Sequence, residues 1–423
     1  TLFRSGTGAK VIEASGSNTN FAIDVTTAGL AVTGDSSLRI GKTANTSKIT
    51  VDGALSVPGP LSIYAGTLSA TAAVTTTTTS GTQTYVGQTV SLTGGITSTK
   101  AVTATASAGD VTLGGGATIS ASGEKILLKA TGAVIFNSSQ TVETNNGDIV
   151  GWSDSDSTSA GYIKVDASVT MKSKGGKIWL AGGADDAGTA ATITSAKGAW
   201  SSLALNDQLP DGYARGNATQ LDGVFISTDH LIYSAGGDIF IAGMNTDTDH
   251  YGSTIKTYYG TIDSGTGRIA MWGKASASVY YTYGINLHYY SNSSIPQVVT
   301  SANKTSQAIN IYGDSGPSTH SGSDGFWSPW YSGWITATGH QGLRVLATGL
   351  ADGSNPGGTI NLTGIGSTTN GNGNGLGVRL DFVDLLAKAG AINVTGYESD
   401  GDGDYSSASI SLGGSGDSAW SEE

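Results

Sequence analysis

The chain has 423 residues and no cysteine, so neither disulfides nor thiol chemistry can hold or drive it. Its net charge of −12 disfavours nucleic acid and anionic membrane surfaces, which both ask for a basic face. With 64 glycines, 13% charged and 38% hydrophobic residues it is neither a charged tail nor a typical disordered segment, and no apolar run approaches the ~18 residues that span a bilayer.

Nothing at Thr1 reads as a start or a signal peptide, which suggests an internal or processed piece of something longer. From Lys10 to Val57 the sequence runs through short apolar/polar alternations: AKVIEAS, NFAIDVTT, GLAVTG, SLRIGK, SKITVDG and GALSV. Alternation with period two marks half-buried strands, and the Gly and Ser between them mark corners. The same texture continues through PLSIYAG (60–66), TQTYVGQTVSL (82–92) and GDVTLGGGATISASGEKILLKATGAVIF (109–136), with no helical period. Short strands without intervening helices leave a sandwich, a propeller or a parallel β-helix.

An internal repeat separates these possibilities. An aliphatic-x-aliphatic core, often preceded by Gly, recurs at 111–113, 126–128, 178–180, 239–241, 269–271, 309–311, 360–362, 392–394 and 410–412, with a truncated copy at Ile149. The irregular intervals around a regular core predict a parallel β-solenoid with insertions at its corners. Regular coils are expected over 1–198, coils with long aromatic-rich insertions over 199–342, and coils with acidic loops over 343–423, all in one continuous solenoid. The long insertions are placed at 199–235, 243–265, 272–305 and 313–342.

The segments GALSVPGPLSIYAG (53–66), GTQTYVGQTVSLTG (81–94) and GGTINLTG (357–364) resemble the filamentous-haemagglutinin-like family of large bacterial exoproteins. The likeness is strongest over 53–180 and returns at 357–396. It implies an all-β, right-handed parallel β-helix, a location outside the cell or on its surface, and a structural or adhesive role, commonly within a filament. The partners it implies are other copies, neighbouring segments of the parent protein or surface glycans.

Three groups of residues are candidates for contact with something else. The middle residue of each core should point outward, and it is apolar at Leu127, Val150, Trp179 and Phe240 but polar at Asn310, Asn361 and Asn393. An outward apolar row needs a cover, either the chain's own insertions or a lateral partner. The insertions carry Tyr280, Tyr281 and Tyr283, and then Phe326, Trp327, Trp330, Tyr331 and Trp334. Such rings stack on sugars or seal loops against the solenoid, and both readings stand. Alternating carboxylates at Asp400, Asp402 and Asp404, and the pair Asp247/Asp249, have the spacing of a Ca²⁺ loop without the rest of an EF-hand, and otherwise read as solvated acidic loops.

Thr-Asp-His occurs at 228–230 and 248–250, which could stack His230 near His250. No local group of acids and bases otherwise stands out, so a non-enzymatic role is expected. The alternative is a β-helical protein that binds or degrades polysaccharide, with candidates such as Asp229, Asp249 and Arg268.

Overall fold

The computed structural model describes residues 10–12, 20–21, 37–158, 161–183, 209–210, 212–217, 220, 222–246, 252–275, 282–287, 296–316, 323–328, 342–349, 357–367, 376–380, 383–399 and 410–412. Among them every strand pairing between named strands is parallel, and the strands form three sheets of 14, 13 and 11 strands. The chain visits the first, second and third sheets in turn, then begins the next coil. This is a parallel β-helix, as the repeat predicts. One coil runs Val102–Ala106, Val111–Leu113, Thr118–Ala121, and the next runs Ile126–Ala130, Val134–Phe136, Thr141–Thr144 directly upon it. Thirteen rungs lie on the continuous path of the first sheet, with Ala214–Arg215 paired beside it. At ~4.8 Å per rung the stack is roughly 60 Å long.

The period-two pattern sets what faces the axis. Ile126, Leu128, Ala130, Val134, Phe136 and Val142 point inward and are fully buried, whereas Lys129, Ile135 and Glu143 between them are half-exposed. Ile126, Ile149, Ile178, Ile239, Ile269, Ile309, Ile360 and Ile392 form one unbroken ladder. Two of the repeats that resemble them belong elsewhere, since Val111–Leu113 and Ile410–Leu412 are second-sheet strands. The truncated copy at Ile149 has Gly151 in the second inward position, where the side chains of Leu180 and Phe136 close over it.

The stretches expected to be insertions are partly coil. Val224–Ile226 and His230–Tyr233, Gly252–Thr257 and Gly260–Asp263, Thr282–Asn286 and Gln297–Thr300, and Phe326–Ser328 are regular strands of the second and third sheets. The additional chain therefore falls between these strands in sequence rather than replacing them.

The corner from the third sheet back to the first explains the recurrent Gly-Asp before the core repeat. A buried hydroxyl there bonds the carbonyl of a glycine three residues on: Ser173 to Gly176 at 2.5 Å, Ser234 to Gly237 at 2.5 Å and Ser264 to Gly267 at 2.7 Å. These glycines stack so closely that a Cβ on Gly237 would lie 1.9 Å from the Gly176 carbonyl oxygen, and one on Gly267 would lie 2.0 Å from that of Gly237. The next residue is often aspartate, whose carboxylate accepts the backbone N–H of its register partner one rung on. Asp148 takes that of Lys177 at 2.7 Å and Asp238 that of Arg268 at 2.8 Å. At the first-to-second corner Asp110, Asp222 and Asp324 do the same for Ala133, Ser253 and Leu376.

A second close approach joins the first and second sheets in the later coils. Gly273, Gly313 and Gly364 share a register position in the first sheet and face Gly284, within Thr282–Asn286, and Gly325 and Gly377, each just before a second-sheet strand. A Cβ on Gly313 would meet the Gly325 carbonyl oxygen at 2.1 Å, and one on Gly364 the Gly377 oxygen at 1.7 Å. The two sheets therefore touch backbone to backbone at these positions.

Candidate functional surfaces

Register turns irregular sequence spacing into columns, and the outward apolar row is one of them. Leu127, Val150, Trp179, Phe240, Ala270, Asn310, Asn361 and Asn393 occupy the same position on successive rungs of the first sheet. The polar end behaves as an amide ladder, with the Asn393 amide donating to Asn361 at 2.8 Å. The apolar end is not a free face. Val150, Trp179 and Phe240 are at most 1% exposed and form a second hydrophobic cluster outside the solenoid, with Trp152, Ala181, Leu209, Ala242, Trp272, Tyr312 and Ile365. Leu127, half-buried, packs at its edge.

The cover comes from the chain itself. Trp179 donates from its indole nitrogen to the Pro210 carbonyl at 2.7 Å, Leu209 is buried in the cluster, and Trp152 donates to Gly183 at 2.6 Å. Ring geometry is specific: Trp179 and Phe240 have centroids 4.4 Å apart, and Phe240 meets Trp272 edge-on at 4.8 Å. Arg215, on the strand Ala214–Arg215, reaches the fully buried carboxylate of Asp154 at 3.3 Å. Asp154 is thus an internal counter-ion of the covering segment.

The aromatic candidates divide. Phe326 is an inward core residue with no exposure, which removes it from any surface. Trp327, next in the strand, points outward and is half-buried. Its ring stacks on Tyr283 with centroids 4.3 Å apart and 29° between planes, and the Arg379 guanidinium lies 5.9 Å from its centroid. Tyr280, Tyr281, Trp330, Tyr331 and Trp334 lie outside the described residues, as do Asp247, Asp249, Asp400, Asp402 and Asp404. Among the described residues no group of three or more His, Cys, Asp or Glu could hold a metal ion.

Sequence reasoning missed the neighbours of Trp327. On the outer face of the second sheet Phe225, Lys256, Asn286, Trp327 and Arg379 form a single register column. Asn286 is fully buried and neither polar atom of its amide has a hydrogen-bond partner; the buried indole nitrogen of Trp327 has none either. No sequence signal could have assembled this column, because its members are separated by unequal lengths of inserted chain.

The Thr-Asp-His motif resolves as structure. His230 faces inward, 2% exposed, with Nδ1 2.7 Å from the Ser227 carbonyl oxygen and its ring over Gly260 on the next rung. Burial pushes its pKa down to about 4, against the lesser opposing effect of the Ser227 bond. Asp249 and His250 are outside the described residues. Asp222 is also fully enclosed, and burial raises its pKa although nearby Lys256 and bonds from Ser253 and Gln220 act the other way. Arg268 is committed to Asp238 at 2.7 Å. No family model matches this chain, and neither a curated protein nor a solved structure matches it.

Proposed function

We propose that this chain is a rod-like section of an extracellular or surface-attached bacterial fibre, with a structural and adhesive role. The observation that carries the reading is the stack itself. Thirteen rungs lie in continuous register on the first sheet, so the rod lengthens by addition of coils and needs no single globular core. The last described rung shows what an added coil would cover. Ile392 and Ile410 are each 41% exposed, whereas Ile360 and Val378 on the preceding rung are fully buried, and Leu386 beside them is 50% exposed. Among the described residues these strands end their sheets, and apolar side chains at such an edge favour stacking of another coil, from the parent protein or from a second copy.

The experiment is negative-stain imaging of the purified protein at low micromolar concentration, beside the variant Ile392→Lys/Ile410→Lys. The expected result is end-to-end fibres that the charged variant abolishes. Single rods for both proteins would refute polymerisation through this rung. Repeating the imaging with Ca²⁺ and with EDTA tests the acidic loops: fibres lost in EDTA would assign them a metal-bridging role.

A further inference from the structure

The interior of the solenoid holds two hydrogen-bond acceptors for which the chain supplies no donor. His230, Gly260 and Gln297 are successive members of one column at the start of the third-sheet strands, and His230 and Gln297 are at most 2% exposed. The bond between His230 Nδ1 and the Ser227 carbonyl oxygen at 2.7 Å fixes the tautomer, because a carbonyl only accepts. The proton is therefore on Nδ1, and Nε2 presents a lone pair. The Gln297 amide nitrogen donates to the Val298 carbonyl at 3.2 Å, which leaves Oε1 as the second acceptor. Nε2 of His230 and Oε1 of Gln297 are both buried and have no hydrogen-bond partner. Turning the Gln297 amide over would set its oxygen against that of Val298, so the amide cannot serve His230 without losing its own bond.

Gly260 brings the two acceptors within reach of one ligand. A Cβ there would lie 2.6 Å from Nδ1 and 2.7 Å from Cε1 of His230, so the imidazole occupies the place of the missing side chain. The ring thus stands about one rung, ~4.8 Å, from Gln297 instead of two. Leu343, the next member of the column, is fully buried and offers no side-chain donor.

We propose that this position binds one internal water molecule, which donates one proton to His230 Nε2 and the other to Gln297 Oε1. Two acceptors cannot satisfy one another, and water is the smallest molecule that donates twice. Two hydrogen bonds of about 2.8 Å that meet at the angle of water separate their far ends by about 4.5 Å, close to the spacing of one rung. Buried water is held where at least two polar groups face it, and these two groups meet that condition. The bridge ties the rung of His230 to that of Gln297 across the glycine, inside the solenoid.

The test is nuclear magnetic resonance of the full chain with ¹⁵N-labelled histidine. Long-range ¹H–¹⁵N correlations should show the Nδ1–H tautomer for His230, with Nε2 shifted to lower frequency than a free imidazole nitrogen. A cross-relaxation peak should join water to the ring protons that flank Nε2. Gln297→Leu removes one acceptor and should abolish that peak and return Nε2 towards the free value. The wild-type spectrum alone can overturn the proposal, whether or not the variant folds: an Nε2–H tautomer, a free Nε2, or a shifted Nε2 without the water peak would each do so. A water peak unchanged in Gln297→Leu would also overturn it, since the water would then not bridge the two residues.

Discussion

Two glycine-to-alanine substitutions separate the two reasons a corner needs glycine. At Gly237 the backbone is not in the left-handed region, but a Cβ would sit 1.9 Å from the Gly176 carbonyl oxygen and 2.3 Å from its carbon. An ordinary contact requires more than 3 Å, so the rungs would have to part locally by more than an ångström. The atoms in the way are backbone in the ladder and cannot swing aside. Ile178 N–H bonds the Asp238 oxygen at 3.0 Å between these two rungs, so that bond would stretch, and any shift of the Gly237 rung would also disturb the bond from Ile239 N–H to the Arg268 oxygen at 2.8 Å on its other side. Overpacking with lost hydrogen bonds is worth about 3–5 kcal/mol. Gly116 is the converse: its φ is +73°, yet a Cβ there would meet nothing within 4 Å, so alanine costs only the left-handed penalty of about 1–2 kcal/mol. Urea unfolding followed by circular dichroism gives the ranking, and native-state hydrogen exchange at Ile178 and Ile239 locates the damage. If Gly237→Ala proves no more costly than Gly116→Ala, rung spacing is softer than the ladder geometry demands and the reasoning fails.

Other substitutions probe the remaining devices. Phe240→Ala should destabilise by about 3–5 kcal/mol and expose the outer apolar row, read as increased binding of a hydrophobic dye; an unchanged melting curve would mean that the covering segment contributes no stability. Asp238→Ala should cost about 1–3 kcal/mol because the Arg268 N–H loses its acceptor, while Asp238→Asn, which keeps an oxygen there, should cost less; equal losses would place the effect in the ion pair alone. His230 binds its proton more weakly folded than unfolded, with a folded pKa of about 4 against an ordinary 6.5. Its contribution is therefore complete above pH 6.5 and is lost as pH falls towards 4, by up to about 3 kcal/mol. The difference in stability between wild type and His230→Gln should narrow over that window, and a difference independent of pH would show that the ring is not held neutral.

What could be read from the sequence depended on strand length and on who faces whom. The first sheet was legible because its strands are five to eight residues in the clearest cases, such as Ile126–Ala130 and Ile360–Ser367, with inward Ile and Leu. The second and third sheets disappeared into apparent insertions where strands such as Phe326–Ser328 have three residues, too few to establish a period. That shortness is why Phe326 looked like a surface ring beside Trp327, although alternation sends the two to opposite sides. Asp148 and Asp238 could be taken for loop acids, since nothing local reveals the amide they accept on another rung. The row Val150, Trp179, Phe240 was visible as a row, but its cover was not, because Leu209 and Pro210 return to it across a long excursion. Lys256, Asn286, Trp327 and Arg379 became a column only when register was known.

The paired glycines of the first-to-second corner carry a consequence for how such a molecule can change. Since the two sheets meet directly there, each of these three coils is already closed between its first- and second-sheet strands, whatever length of chain joins them in sequence. Lengthening, shortening or exchanging that segment leaves the hydrogen-bond ladder on either side untouched, and the entropic penalty of a longer excursion grows only logarithmically with its length. The rod can thus accept new sequence at these exits one coil at a time, like slots on a rail, while rung spacing and rod length stay constant. Display of a foreign peptide between Asp314 and Ser323 would exploit the same property.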